Sequence, residues 1–126
     1  MSSEANKALY RRFVEEVMSR GNIAAIDELM AADFVEHEYL APGIPMNREG
    51  VKQLFAIYHR AFSDIHVNID DEIAEDDKVV VRNHWTGTDT VTKQCMEFSG
   101  IAIWRIANRQ ILGRWAYLES PHPARS

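Results

Sequence analysis

Two spacings of apolar residues divide the chain, one near four along its first half and one of two along its second. Ala5, Ala8, Leu9, Phe13 and Val17 share a stripe across residues 3–20, with Arg11, Arg12, Glu15 and Glu16 outside it. That pattern predicts a first helix, capped by Ser3 and ended by Gly21. A short second helix is expected over Ile23–Met30, with Ile23, Ile26, Leu29 and Met30 inward. Residues 31–39 read as a turn of helix passing into a short strand. Residues 40–47, with Pro42, Gly43 and Pro45, read as a loop placed to form a pocket lip. Val51, Leu54, Phe55, Tyr58 and Phe62 then make the stripe of a third helix over Arg48–Phe62, with Asn47 as its cap.

From Ile65 the spacing becomes two. Ile65, Val67 and Ile69 alternate with His66, Asn68 and Asp70, as in a half-exposed strand. Glu75-Asp76-Asp77 is a turn into a long strand, Lys78–Thr88, with Val79, Val81, Asn83 and Trp85 on one face and Val80, Arg82, His84 and Thr86 on the other. Phe98–Glu119 reads as a long hairpin turning at Asn108-Arg109, because Asn tolerates the positive φ of a two-residue turn. With Ala107 opposite Gln110, Trp104 faces Gly113, Ala102 faces Trp115 and Gly100 faces Tyr117, large against small in each pair. That register places Trp104, Trp115 and Tyr117 on one surface, and Ile101, Ile103, Leu112 and Leu118 on the other with Arg105 and Arg114. Both surfaces are too apolar for water, so helices are expected over one and a second subunit over the other. Helices first and antiparallel strands second imply an α+β fold, and the tail SPHPARS is expected to lie loose.

Composition narrows the classes of function. The chain of 126 residues is one domain with a real core, 46% hydrophobic and 26% charged. A net charge of -5 argues against nucleic-acid binding, which needs clustered Lys and Arg. No apolar run approaches a membrane span, and the start MSSEANK lacks a signal peptide's pattern, so a cytoplasmic location is expected. The single Cys95 allows no internal disulfide and reads as a small strand residue.

Phosphate loops, HExxH, GxSxG and EF-hand patterns are absent, so any chemistry must come from a pocket between sheet and helices. His37, flanked by Glu36 and Glu38, is a candidate proton carrier or else a strand-end histidine bonded to backbone. A metal site there is disfavoured, since neighbouring strand residues point to opposite faces. Asn83 sits in an apolar row and needs a partner, either a ligand oxygen or a neighbouring side chain. If its row faces a second subunit instead, Arg82 and His84 become the pocket residues. Glu119, at the end of the row Trp115, Tyr117, is either a carboxylate with a raised pKa or a solvated rim residue. Tyr10, Tyr39 and Tyr58 are hydroxyl donors or core, and the acidic cluster Asp70–Asp77 is a solvated edge.

Beyond these features, NKALYRRFVEEVMSRGNIAAIDELMAADFVEHEY, REGVKQLFAIYHRAFSDIHVNIDDEIAEDDKVVVR, FSGIAIWRI and ILGRWAYLE together resemble the SnoaL-like polyketide cyclase family of the nuclear transport factor 2-like superfamily. The resemblance implies a single SnoaL-like domain over residues 1–126. Its fold would be a cone, a strongly curved and mostly antiparallel sheet wrapped around three N-terminal helices (cystatin-like), dimeric through the outer sheet face. It implies intramolecular aldol or isomerase chemistry on a hydrophobic carbonyl compound, without metal or organic cofactor. FVEHEY matches the family's FVDH-type segment, so His37 inherits a pocket assignment, while the first carboxylate beyond Trp115 is Glu119. The expected catalytic set is therefore Glu119, His37 and Asn83, and the expected ligand lining is Trp85, Trp104, Trp115, Tyr117, Tyr58 and Phe13. The contrasting expectation is a non-catalytic module for a small apolar ligand, or an accessory domain working through its dimer face.

Overall fold

The structure is a computed structural model that describes residues 2–38 and 41–124. Helix α1 spans Ser3–Phe13, and its cap is Ser2, whose Oγ accepts from the Ala5 N–H at 3.1 Å, one residue before the expected cap. The chain does not stay α-helical to Gly21: Val14–Ser19 widens into a π-helical turn. His59 Nε2 lies 3.2 Å from the Val17 carbonyl within that turn. Gly21 then leaves the helix at φ 74°, with the His59 ring packed where a side chain would sit. Helix α2 is short, Ala25–Leu29, and strand β1 starts directly at Met30 and runs to Glu36. No helical turn intervenes there, because Met30, Ala31 and Phe34 are needed inside the sheet. Helix α3, Arg48–Ala61, is capped as expected, Asn47 Oδ1 accepting from the Gly50 N–H at 3.0 Å.

Four long strands and a short one follow: β2 Phe62–Glu75, β3 Lys78–Asp89, β4 Cys95–Ala107, β5 Gln110–Leu118 and β6 His122–Pro123. With β1 they form one six-stranded sheet in the order β1-β5-β4-β3-β2, with β6 beside β4. All pairings are antiparallel except β1 with β5. The tail expected to be loose is thus partly paired, because its backbone completes the β4 edge beyond the end of β5. Helices cover the inner face. Tyr10, Phe13 and Val17 from the first helical segment and Val51 and Phe55 from α3 pack with Val79, Val81, Trp85, Phe98, Ala102, Trp104 and Ile106.

The hairpin turn falls where predicted, with Asn108 at φ 53° and Arg109 at φ 63°, both positive as a type I′ connection requires. Its register does not. Ala107 pairs Gln110 and Ile106 pairs Ile111, but Arg105 then pairs Gly113, so Leu112 is an extra residue in β5. Beyond that bulge every side chain of β5 changes face. Trp104 lies opposite Arg114, Ala102 opposite Ala116, and Ile103 opposite Trp115. Arg114 and Leu118 therefore turn inward, while Trp115 and Tyr117 turn outward beside Ile101 and Ile103. The expected row of Trp104, Trp115 and Tyr117 does not exist.

Candidate functional site

The inner face of β3 is arranged as its alternation predicted, with Asn83 buried among Val79, Val81 and Trp85. Between it and the helices lies a hollow of only about 20 Å³, lined by Met18, Leu54, Phe55, Tyr58, Asn83, Trp85, Phe98, Gly100, Ala102, Trp104, Arg114 and Leu118. That volume holds about one water molecule. Leu54, Tyr58, Arg114 and Leu118 also line an outer vestibule of about 340 Å³, together with Glu38, Ala116, Glu119, Ser120 and Pro121. A third small space, about 10 Å³ and almost wholly apolar, lies between Phe62, Ile65, Met96 and Pro121 and shares Tyr58, Trp85 and Phe98 with the hollow.

Two polar arrangements interrupt the apolar lining. At the deep end, Asn83 Nδ2 donates to the Tyr10 hydroxyl at 2.5 Å, and burial pushes the Tyr10 hydroxyl's pKa far above its ordinary value. Asn83 Oδ1 and Trp104 Nε1 have no hydrogen-bond partner among the described residues. Nearer the mouth, Arg114 Nε donates to Glu36 Oε1 at 2.7 Å, with side chains only 9% and 0% exposed. The Arg114 guanidinium also lies 5.3 Å from the Trp104 ring centroid, in cation–π range. Burial pushes the Glu36 carboxyl above its ordinary pKa, against the opposing pull of the Arg114 charge and of the Glu38 N–H. Burial likewise raises Tyr58, and the Arg114 charge lowers it in part.

The expected site residues separate into three groups. Asn83, Trp85, Trp104 and Tyr58 line the hollow. Phe13 lies behind it, fully buried against Phe55 and Trp104. Glu119 stands on the exposed rim of the vestibule, where its Oε1 accepts from the Ser99 N–H at 2.7 Å and lies 3.2 Å from His122 Nε2. His37, Trp115 and Tyr117 are on the outer face. The His37 ring stacks on Trp115 at 4.2 Å and 3°, and Tyr117 is 75% exposed. Glu119, His37 and Asn83 thus do not converge on one cavity. Tyr39 lies outside the described residues.

Sequence reasoning missed Arg114 and Glu36. A register without the Leu112 bulge puts Arg114 on the outer surface, and Glu36 reads from sequence only as a flank of His37. Gly113 is no signal either, since a Cβ there would meet the Val35 carbonyl and the His37 ring at ordinary contact distance. Among the described residues no three His, Cys, Asp or Glu side chains gather as a metal site.

Three helices on one face of a curved, open and mostly antiparallel sheet are the architecture of the nuclear transport factor 2-like superfamily, and solved structures agree. A candidate polyketide cyclase from Acidithiobacillus ferrooxidans superposes with a TM-score of 0.79 at 26% identity, over 94% of this chain and 92% of that one. One from Bacillus cereus gives 0.82 at 24% identity, over 94% and 79%. TsrD from Streptomyces laurentii gives 0.82 at 16% identity, over 94% and 91%. Comparison with curated protein sequences finds no match. The sequence description of the SnoaL-like polyketide cyclases fits residues 8–122, and the chain belongs to that family.

Proposed function

We propose that this protein binds a small hydrophobic carbonyl compound at the vestibule and hollow and moves a proton on it by general acid/base chemistry, without an organic cofactor. Arg114 carries the reading: among the described residues that line the hollow and the vestibule it is the one cation, and it belongs to both. In this scheme the substrate oxygen sits against the Arg114 guanidinium, and the Glu119 carboxylate on the rim takes a proton from the adjacent carbon. The electron pair of the broken C–H bond forms the C=C bond of the enolate as the carbonyl π pair moves onto that oxygen. Arg114 stabilises the enolate charge, and Glu36 keeps the guanidinium in place. Return of the proton from Glu119 to another carbon gives isomerisation, and attack of the enolate carbon on a second carbonyl of the same molecule gives ring closure, with the resulting alkoxide taking the proton from Glu119. Asn83 and Tyr10 hold the deep polar end. The outer-face position of His37 favours Glu119 as the proton acceptor.

Deuterium incorporation into 2-tetralone, followed by NMR in D2O, tests the scheme. The wild type should accelerate exchange at the carbons beside the carbonyl above the buffer rate, and Glu119→Gln should lose that acceleration while still binding the ketone. Binding without acceleration in the wild type would leave a non-catalytic ligand module.

The proposal extends to a homodimer through the outer sheet face, where Ile73, Ile101 and Tyr117 are 65%, 52% and 75% exposed. It also extends to a reducing compartment such as the cytoplasm, which suits the exposed free thiol of Cys95. No described helix is long and apolar enough to cross a membrane.

A further inference from the structure

We infer that the Tyr58 hydroxyl is a second hydrogen-bond donor to the ligand's carbonyl oxygen, working beside the Arg114 guanidinium where the vestibule meets the hollow. The inference rests on reading the chamber as a ligand site, and it adds a residue that touches the reacting oxygen. Tyr58 borders the small apolar space, the hollow and the vestibule alike. Helix α3 accounts for that placement. Leu54 and Tyr58 stand four residues apart on one face of it, and both line the hollow and the vestibule.

The ring is fixed on its apolar side. It meets Phe55, Trp85 and Phe98 with ring centroids 6.1, 6.0 and 6.2 Å away. A tyrosine side chain turns about few bonds, so a packed ring also fixes where its oxygen stands. That oxygen has unused bonding capacity. No described residue forms a hydrogen bond with it, and the influences on it are its buried surroundings and the Arg114 charge. Nor is it sealed. Among the described residues, the buried side-chain oxygens and nitrogens without a partner belong to Asn6, Glu72, Asn83 and Trp104. An unpartnered hydroxyl outside that set opens onto space that a ligand can enter. The other described tyrosines do not compete for the role: the Tyr10 hydroxyl accepts from Asn83 Nδ2, and Tyr117 stands exposed on the outer face.

Arg114 and Tyr58 complement each other at one oxygen. A carbonyl oxygen has two lone pairs, so it can take one N–H from the guanidinium and one O–H from the phenol. As the C–H proton leaves for Glu119, negative charge builds on that oxygen and both bonds strengthen. Burial holds the Tyr58 pKa above its ordinary value, about 10, so at neutral pH the group is a donor and not a phenolate. Tyr58 keeps its proton throughout, and the proton count of the step is unchanged.

Tyr58→Phe removes the oxygen and keeps the ring, and its thermal melt by circular dichroism should stay near wild type. Exchange of 2-tetralone in D2O should slow roughly a hundredfold in the variant, the scale of losing one donor to a developing oxyanion. Affinity for the ketone should fall less than about tenfold, the scale of one neutral hydrogen bond. A residue that only packs would lower rate and affinity together. With carbon-13 at the carbonyl of 2-tetralone, the bound signal should move upfield in Tyr58→Phe as a donor is lost. A variant whose carbonyl signal stays put, or one that matches an accelerated wild type, would overturn the inference. The carbonyl signal needs binding alone. A wild type that binds without exchange, its signal still moving in Tyr58→Phe, would keep the donor and remove the chemistry.

Discussion

Replacing Arg114 by methionine removes the guanidinium and keeps much of the side-chain volume, leaving Glu36 without its cation. With the Glu36 side chain fully buried, the cost is that of an unpaired interior charge, about 3–5 kcal/mol. Against a typical domain stability of about 5–15 kcal/mol, that is a large share. The carboxyl can escape part of the cost by taking up a proton, which makes the loss depend on pH. Glu36 already has a folded pKa above its unfolded value, so the folded state holds more protons and wild-type stability declines as pH rises through that interval. In Arg114→Met the pull of the arginine charge and hydrogen bond is gone, the pKa rises further, and the decline extends to higher pH at about 1.4 kcal/mol per unit. Urea unfolding at pH 5 and pH 8 measures this directly. The variant should be weakened at both, and more at pH 8. The double variant Glu36→Leu with Arg114→Met should recover most of the loss, because two apolar side chains replace the whole pair. A single variant losing less than about 1 kcal/mol, or equally at both pH values, or a double variant no better than the single, would refute the account of a buried pair.

Two further outcomes test the sheet. Deleting Leu112 makes Ile111 and Gly113 consecutive opposite Ile106 and Arg105, so the bulge closes while Arg114 keeps its inward place opposite Trp104 and Trp115 stays outside. The deletion should keep a cooperative thermal transition by circular dichroism with a loss below about 3 kcal/mol, and a collapse of the transition would contradict the register. Tyr117→Glu places a charge on the exposed outer face and should halve the mass seen by light scattering if that face joins two copies. An unchanged dimer mass would move the interface elsewhere.

Where periodicity is long and local, the sequence was readable to about one residue at the element ends. The stripe of α3 with its Asn47 cap, the two faces of β3 and the positive-φ turn at Asn108-Arg109 each follow from residues within a few positions of one another. For the same reason Asn83 could be assigned to an apolar row before its partner Tyr10 was known. The π-helical turn after Phe13 was not readable, because its apolar spacing differs little from that of an α-helix over six residues. Nor was the first residue of β1, where inward-facing side chains suit helix and strand alike.

The site depended on what no local pattern carries. One extra residue, Leu112, reverses the facing of everything after it in β5, and alternation looks the same on either side of a bulge. That single offset exchanged Trp115 and Tyr117 for Arg114 and Leu118 at the chamber. The partner that makes Arg114 tolerable inside, Glu36, lies 78 positions away and reaches it through a parallel pairing of β1 with β5. The amino-acid order alone determined a helix-covered, mostly antiparallel sheet and the family it belongs to. Which charged side chain faces the chamber was decided by long-range strand pairing, since a buried cation is stable only where the assembled fold brings its carboxylate.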